Sequence, residues 1–137
     1  MAKRLSEVRA TLKEVIESNV DGMRVYETRP SSVVVPALVI QPKQKFVEYL
    51  VGMGNSIVAI FHLEALLLAS KISDKASQNR LDDLMSPDGE LIPILQSLRV
   101  KGLINISTAV SGSGYGFYQV GSTDYLGCLI DLDIQTY

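Results

Sequence analysis

The side chains able to do chemistry in this chain are few. His62 is the single histidine, Cys128 the single cysteine, and Asp82-Asp83 and Asp131/Asp133 are the close carboxylate pairs. A histidine acts as general base or metal ligand when a nucleophile or further ligands stand with it. Glu64 lies on the same side of an extended chain as His62, but a His-x-Glu pair alone is a weak metal signature. A hydrogen-bonded, partly covered histidine is the simpler reading. Cys128 falls on the apolar side of an alternating segment, where it reads as a small core residue rather than a nucleophile. One cysteine allows neither an internal disulfide nor a four-cysteine zinc site. Asp82 and Asp83 are neighbours on a helical segment, so they point apart. Asp131 and Asp133 share a strand face at ~6–7 Å, a spacing open to a cation or to acid/base work. No third ligand accompanies them, which favours an acidic stripe over a site.

Glycine-rich loops raise the question of phosphate binding, and Ser111 to Tyr118 reads SGSGYGFY. A P-loop ends its glycines on Lys-Ser/Thr, and a dinucleotide loop opens a helix. Here the spacing is G-x-G-x-G, no lysine follows, and the next residues, Tyr115 to Val120, have strand character. A hairpin turn or bulge fits these glycines better. Lys43 and Lys45 beside Phe46 and Tyr49 slightly resemble a nucleic-acid surface, which Glu48 and the overall acidity weaken. The residues therefore suggest no catalytic centre, no metal and no cofactor, and the chain is expected not to be an enzyme.

The elements that would position these residues follow from composition and periodicity. With 137 residues the chain is expected to form one domain, 1–137, large enough for a core without staples. Thirteen Lys+Arg against 15 Asp+Glu give a net charge of -2, without the basic surfeit of a dedicated nucleic-acid binder. Hydrophobic residues make up 47% and mean hydropathy is +0.19, a surplus that fits either a subunit interface or a larger-than-usual core. The N-terminal AKRLSEVRATLKEV carries charge throughout, and the apolar run Ile57 to Ala69 is interrupted by His62 and Glu64. A soluble chain folded in a cytoplasm, with no membrane partner, is expected.

From Leu5 to Ser18 the apolar residues Leu5, Val8, Leu12, Val15 and Ile16 recur at three and four, which predicts an N-terminal helix ended by Asp21-Gly22. Short strands are predicted over Met23–Glu27 and Ala37–Gln41, the second closed by Pro42. Lys45–Val51, a turn at Gly52-Met-Gly-Asn55 and Ser56–Ala69 make a hairpin. Its long second strand puts Ile57, Ala59, Phe61, Leu63, Ala65 and Leu67 on a core face. The other face, Val58 to Leu68 through His62, is too apolar for open solvent. Two central helices follow, one capped at Ser73-Asp74 and running to Met85, one burying Leu91, Ile94, Leu95 and Leu98. Strands over Leu103–Val110, Tyr115–Val120 and Asp124–Tyr137 complete the chain, the last alternating Leu126, Cys128, Ile130, Leu132 and Ile134 against Asp131, Asp133 and Gln135. The order predicts an α+β fold: a mainly antiparallel mixed sheet, helices packed on one face.

This layout resembles the tail terminator (tail completion, head–tail joining) proteins of long-tailed bacteriophages, in particular those of the actinobacterial-phage type. The carrying segments are Gly22-Met-Arg-Val-Tyr26, the proline-bearing Arg29–Ile40, the hairpin into a long apolar strand, Asp74–Gly89 and Gly114–Gly127. They span nearly the whole chain but are loose patterns of turns and strands. The resemblance implies a virion protein at the tail neck, assembled in the bacterial host cytoplasm. It would form a homo-oligomeric ring, usually a hexamer, that ends tube polymerisation at the head-proximal end. Its partners would be itself, the tail tube protein and the head-side connector or stopper, with DNA only passing through the lumen. On that reading Asp131 and Asp133 are candidates for the lumen wall. Phe46, Tyr49, Val51 and Met53 of the hairpin, with Tyr115, Phe117 and Tyr118, are the candidate interface. Another neck protein, a connector or stopper, is the nearest alternative, and a small-ligand-binding α+β domain the more distant one.

Overall fold

The computed structural model describes residues 4–51, 57–70, 75–100, 103–106 and 111–136. Helix α1 spans Leu5–Asn19, and its Val8, Leu12 and Ile16, four residues apart, are fully buried. It ends where Asn19 Nδ2 and Ser18 Oγ donate to the Val15 and Glu14 carbonyls and Gly22 turns the chain at φ 76°. Glu17 reaches beyond the helix: its Oε2 accepts the Val25 N–H at 2.9 Å, tying α1 to strand β1, Arg24–Tyr26.

Strand β2 runs from Ala37 to Val51 without stopping at Pro42. The prediction of two strands divided by that proline is thereby corrected. Proline is tolerated in a strand at an edge or a bulge, and Pro42 has both. Strand β1 covers β2 only at Ala37, Leu38 and Val39, and the register against strand β3, Ile57–Ser70, shifts between Pro42 and Val47. Over that shift β2 advances from Pro42 to Val47 while β3 moves only from Leu63 to Phe61. The unequal step changes which side chains face the core. Before it Leu38 and Ile40 point to the core; after it Val47 does, and Glu48 points the other way.

Helices α2, Lys75–Leu84, and α3, Leu91–Gln96, follow, burying Leu81, Leu91 and Leu95. The predicted cap at Ser73-Asp74 lies outside the described residues. Ile94, expected inward, is only half-buried. Short strands β4, Arg99–Val100, and β5, Leu103–Asn105, lead to β6, Ser111–Val120, and β7, Thr123–Thr136.

The seven strands of the described residues form one sheet in the order β1-β2-β3-β7-β5-β4, with β6 lying along β7. Among the described residues only β1 and β2 are parallel; every other pair is antiparallel. The fold is α+β, as predicted. The three helices share one core with one sheet face, where Leu63, Ala65 and Leu67 of β3 meet Cys128, Ile130, Leu132 and Ile134 of β7. A smaller cluster lies on the opposite face, where the connector 27–36 lays Val33 over Ala37, Val39, Leu66, Leu68, Val120 and Tyr125. That cover explains the apolar second face of β3 near its end.

SGSGYGFY lies inside β6 rather than before it. The register against β7 shifts between Ser113 and Gly116, and Gly114 sits at φ 64°, so the run is a β-bulge. The tight turn lies further on, at Gly121, φ 64°.

Candidate functional site

The sheet face not covered by helices carries the polar residues, and the strand registers decide which of them meet. His62 of β3 stands opposite Asp133 of β7, and Glu64 opposite Asp131. His62 Nδ1 is 2.5 Å from Asp133 Oδ1, and Nε2 is 2.7 Å from Glu48 Oε1 on β2. The ring thus bridges three strands. Lys45 Nζ lies 3.4 Å from Glu48 Oε1, and Lys43 Nζ lies 3.0 Å from Asp131 Oδ1.

The electrostatics follow from these contacts. The hydrogen bond to Asp133 raises the His62 pKa above its ordinary value; partial burial opposes this and Glu48 adds to it. The hydrogen bond from His62, then the Lys45 ammonium, hold the Glu48 carboxyl below its ordinary range. Both ring nitrogens are engaged by carboxylates, so neither is offered to a substrate as a base. Glu64, the partner considered from sequence, is not the residue that holds His62. The two lysines weighed as a nucleic-acid surface each face a carboxylate of this face.

Asp131 and Asp133 do share one face, as predicted, but not as a bare stripe: Lys43 counters the first and His62 the second. Among the described residues no three His, Cys, Asp or Glu group so as to hold a metal ion, and no helix is long and apolar enough to cross a membrane.

The predicted interface residues fall on two separate edges. Beyond Ala59, β3 runs past the last of its pairing with β7, so Tyr49–Val51 and Ile57–Val58 project as a two-stranded arm. Thr136 Oγ1 closes the root of the arm, accepting the Ala59 N–H at 3.1 Å. Tyr49, Val51 and Ile57 are 68%, 72% and 69% exposed, and Phe46 and Leu50 are exposed as well. Tyr49 and Val51 flank Leu50 on the other side of the strand, so beyond Glu48 the arm is apolar on both sides. Ile57, expected in the core, is corrected to an arm residue, because neither β7 nor a helix reaches it. Met53 lies outside the described residues.

On β6, Tyr115 and Phe117 are 56% and 57% exposed. Tyr118 is half-buried against the smaller cluster, its hydroxyl donating to the Gly114 carbonyl. Between β6 and α2 lies a cleft of about 360 Å³, lined by Asp82, Met85, Gly112, Ser113, Gly114, Tyr115 and Cys128. Tyr115 Oη donates to Asp82 Oδ1 at 3.3 Å across it. This cleft is on the helix face, away from His62.

Sequence reasoning missed the Glu48–His62–Asp133 bridge, Leu50 and the exposure of Ile57. The bridge was hidden because its members are 14 and 71 residues apart. A histidine and carboxylates at apolar-flanked strand positions were its only trace. Comparison with known proteins finds no protein family whose model matches the chain and no curated relative similar to it.

Proposed function

We propose that this chain is a structural protein of the neck of a long-tailed bacteriophage, a tail terminator that assembles as a ring. The observation that carries the ring is the pair of open, apolar-flanked strand edges at opposite ends of one sheet. Among the described residues β2 has no neighbour beyond Val39 on its outer side, and β6 has none on its outer side. The two edges differ, so each would meet the other kind on the next copy. Such head-to-tail contacts close into rings when the rotation per copy allows it.

Strand direction is compatible with this. The strands β2, β3, β7 and β6 alternate in direction, so the β2 of a following copy would continue the alternation beside β6. The helices would then stay on one side of the ring wall and the ionic face on the other. A face on which Lys43, Lys45 and His62 largely offset Glu48, Glu64, Asp131 and Asp133 suits a lumen through which DNA slides, since it would not grip phosphates. The further step from ring to phage neck rests on the resemblance of the sequence segments. The partners on this reading are other copies of the chain, the tail tube and the head-side connector. A histidine closed between two carboxylates favours a structural over an enzymatic role.

Electron microscopy of the purified protein, alone and mixed with tail tubes, tests this. A ring capping the tube end is expected, and Phe46→Ala/Tyr49→Ala should abolish it. Monomers that ignore tubes, or a double variant that still joins tails, would overturn the proposal.

A further inference from the structure

We infer that His62 is a proton-controlled staple that holds the apolar arm of the β2–β3 hairpin to the body of the sheet. A neutral imidazole has one N–H and one lone pair. With carboxylate oxygens at 2.5 Å and 2.7 Å from its two nitrogens, only the doubly protonated ring satisfies both. Loss of one proton leaves a lone pair facing a carboxylate, and one of the two links must open.

The two links are unequal in what they support. Asp133 stands opposite His62 in the β3–β7 ladder and is held by that pairing. Glu48 sits just past the bulge, at the root of Tyr49–Val51, on the outermost strand at that level. A two-stranded ribbon is marginal in water by itself, so the arm draws on whatever fixes its root. The Glu48 link is such a support, and it is the one free to open.

The charges facing the ring come from all three strands. Lys43, Lys45 and Glu48 lie on β2, Glu64 on β3, and Asp131 and Asp133 on β7. Lys45 already pairs with Glu48, and Lys43 with Asp131, so the nearby cations do not replace the imidazolium between Glu48 and Asp133. His62 is raised, so its contribution is complete below the ordinary histidine value and is lost as pH rises through the folded-state value. Glu48 is lowered, so its contribution is present above the ordinary glutamate value and is lost only in acid. The staple is therefore closed between the ordinary glutamate and histidine values and opens as pH rises through the raised folded-state value of His62.

The consequence for assembly rests on the ring reading; the staple itself does not. Hydrogen exchange across pH 5.5–9, read by mass spectrometry and corrected for intrinsic exchange rates, measures protection of the Tyr49–Val51 and Ile57–Val58 amides. Light scattering fixes the oligomeric state of each sample. Arm protection is expected to fall roughly three- to tenfold, the scale of one partly exposed charge-assisted hydrogen bond, with the midpoint of His62 titration seen by NMR. Glu48→Gln should lower that midpoint, and His62→Gln should leave the arm weakly protected at every pH. Arm protection that stays constant while His62 titrates, or a midpoint at or below 6.5, would overturn the staple. If protection tracks His62 in a chain that never forms rings, the ring reading fails alone. If rings form but protection ignores pH, the staple fails alone.

Discussion

Cys128 lines the cleft between α2 and β6, yet its side chain is almost wholly buried and burial pushes its thiol up to about 11. The thiolate is the reactive form, so the folded protein should resist alkylation. Raising a thiol from its ordinary value to about 11 cuts the thiolate fraction near pH 8 by roughly a hundredfold. Iodoacetamide should therefore modify Cys128 about two orders of magnitude more slowly in buffer than in denaturing urea. Equal rates would mean that the site is open to solvent. At this scale surroundings decide what a side chain can do: burial silences the Cys128 thiol, while the two carboxylates that reach half-covered His62 raise its pKa. The sequence identified Cys128 as a core residue from alternation alone. It did not identify the partners of His62, since pairing across strands depends on register.

The elements show which local rules were legible. The spacing of Val8, Leu12 and Ile16 specified α1, and the alternation of β7 specified its two faces. Breakers were harder to read. Pro42 looked like an end and proved to be a bulge, while SGSG, read as a turn or a bulge, proved to be a bulge inside β6. In both cases it is the paired residues on either side, Pro42 and Val47 against β3 and Ser113 and Gly116 against β7, that keep the irregular segment in the sheet. Gly121 carries the tight turn, and a side chain there would meet two obstacles. Its φ is 64°, and a Cβ would collide with the Ser31 carbonyl oxygen of the connector that Arg29 ties down through Gln119. Gly121→Ala should cost at least about 2 kcal/mol in urea denaturation. Gly116→Ala, with no atom within 4 Å of its Cβ, should stay within about 0.5 kcal/mol. Equal losses would show that neither the positive φ nor the connector contact contributes.

For the whole molecule, the decisive feature is that the two ends of the sheet are unlike. A self-complementary dimer would use one edge twice, whereas a head-to-tail ring uses β2 of one copy and β6 of the next. Tyr49→Glu should spoil only the first edge and Phe117→Glu only the second, so each variant alone should remain monomeric. Mixed, they retain one good pair of edges and should form one-to-one dimers that cannot close. Analytical ultracentrifugation distinguishes the outcomes. Closed dimers or rings of Phe117→Glu alone would exclude the head-to-tail arrangement.

Composition and period determined a single α+β chain with an N-terminal helix, an apolar hairpin and an alternating last strand, because burial of one face imposes those periods locally. Tertiary structure alone decided which edges stay open, that the bulge after Pro42 turns Glu48 toward His62, and that Asp133 stands opposite it. Those relations are set by strand register and order, which depend on the packing of distant segments and leave no local mark on the sequence.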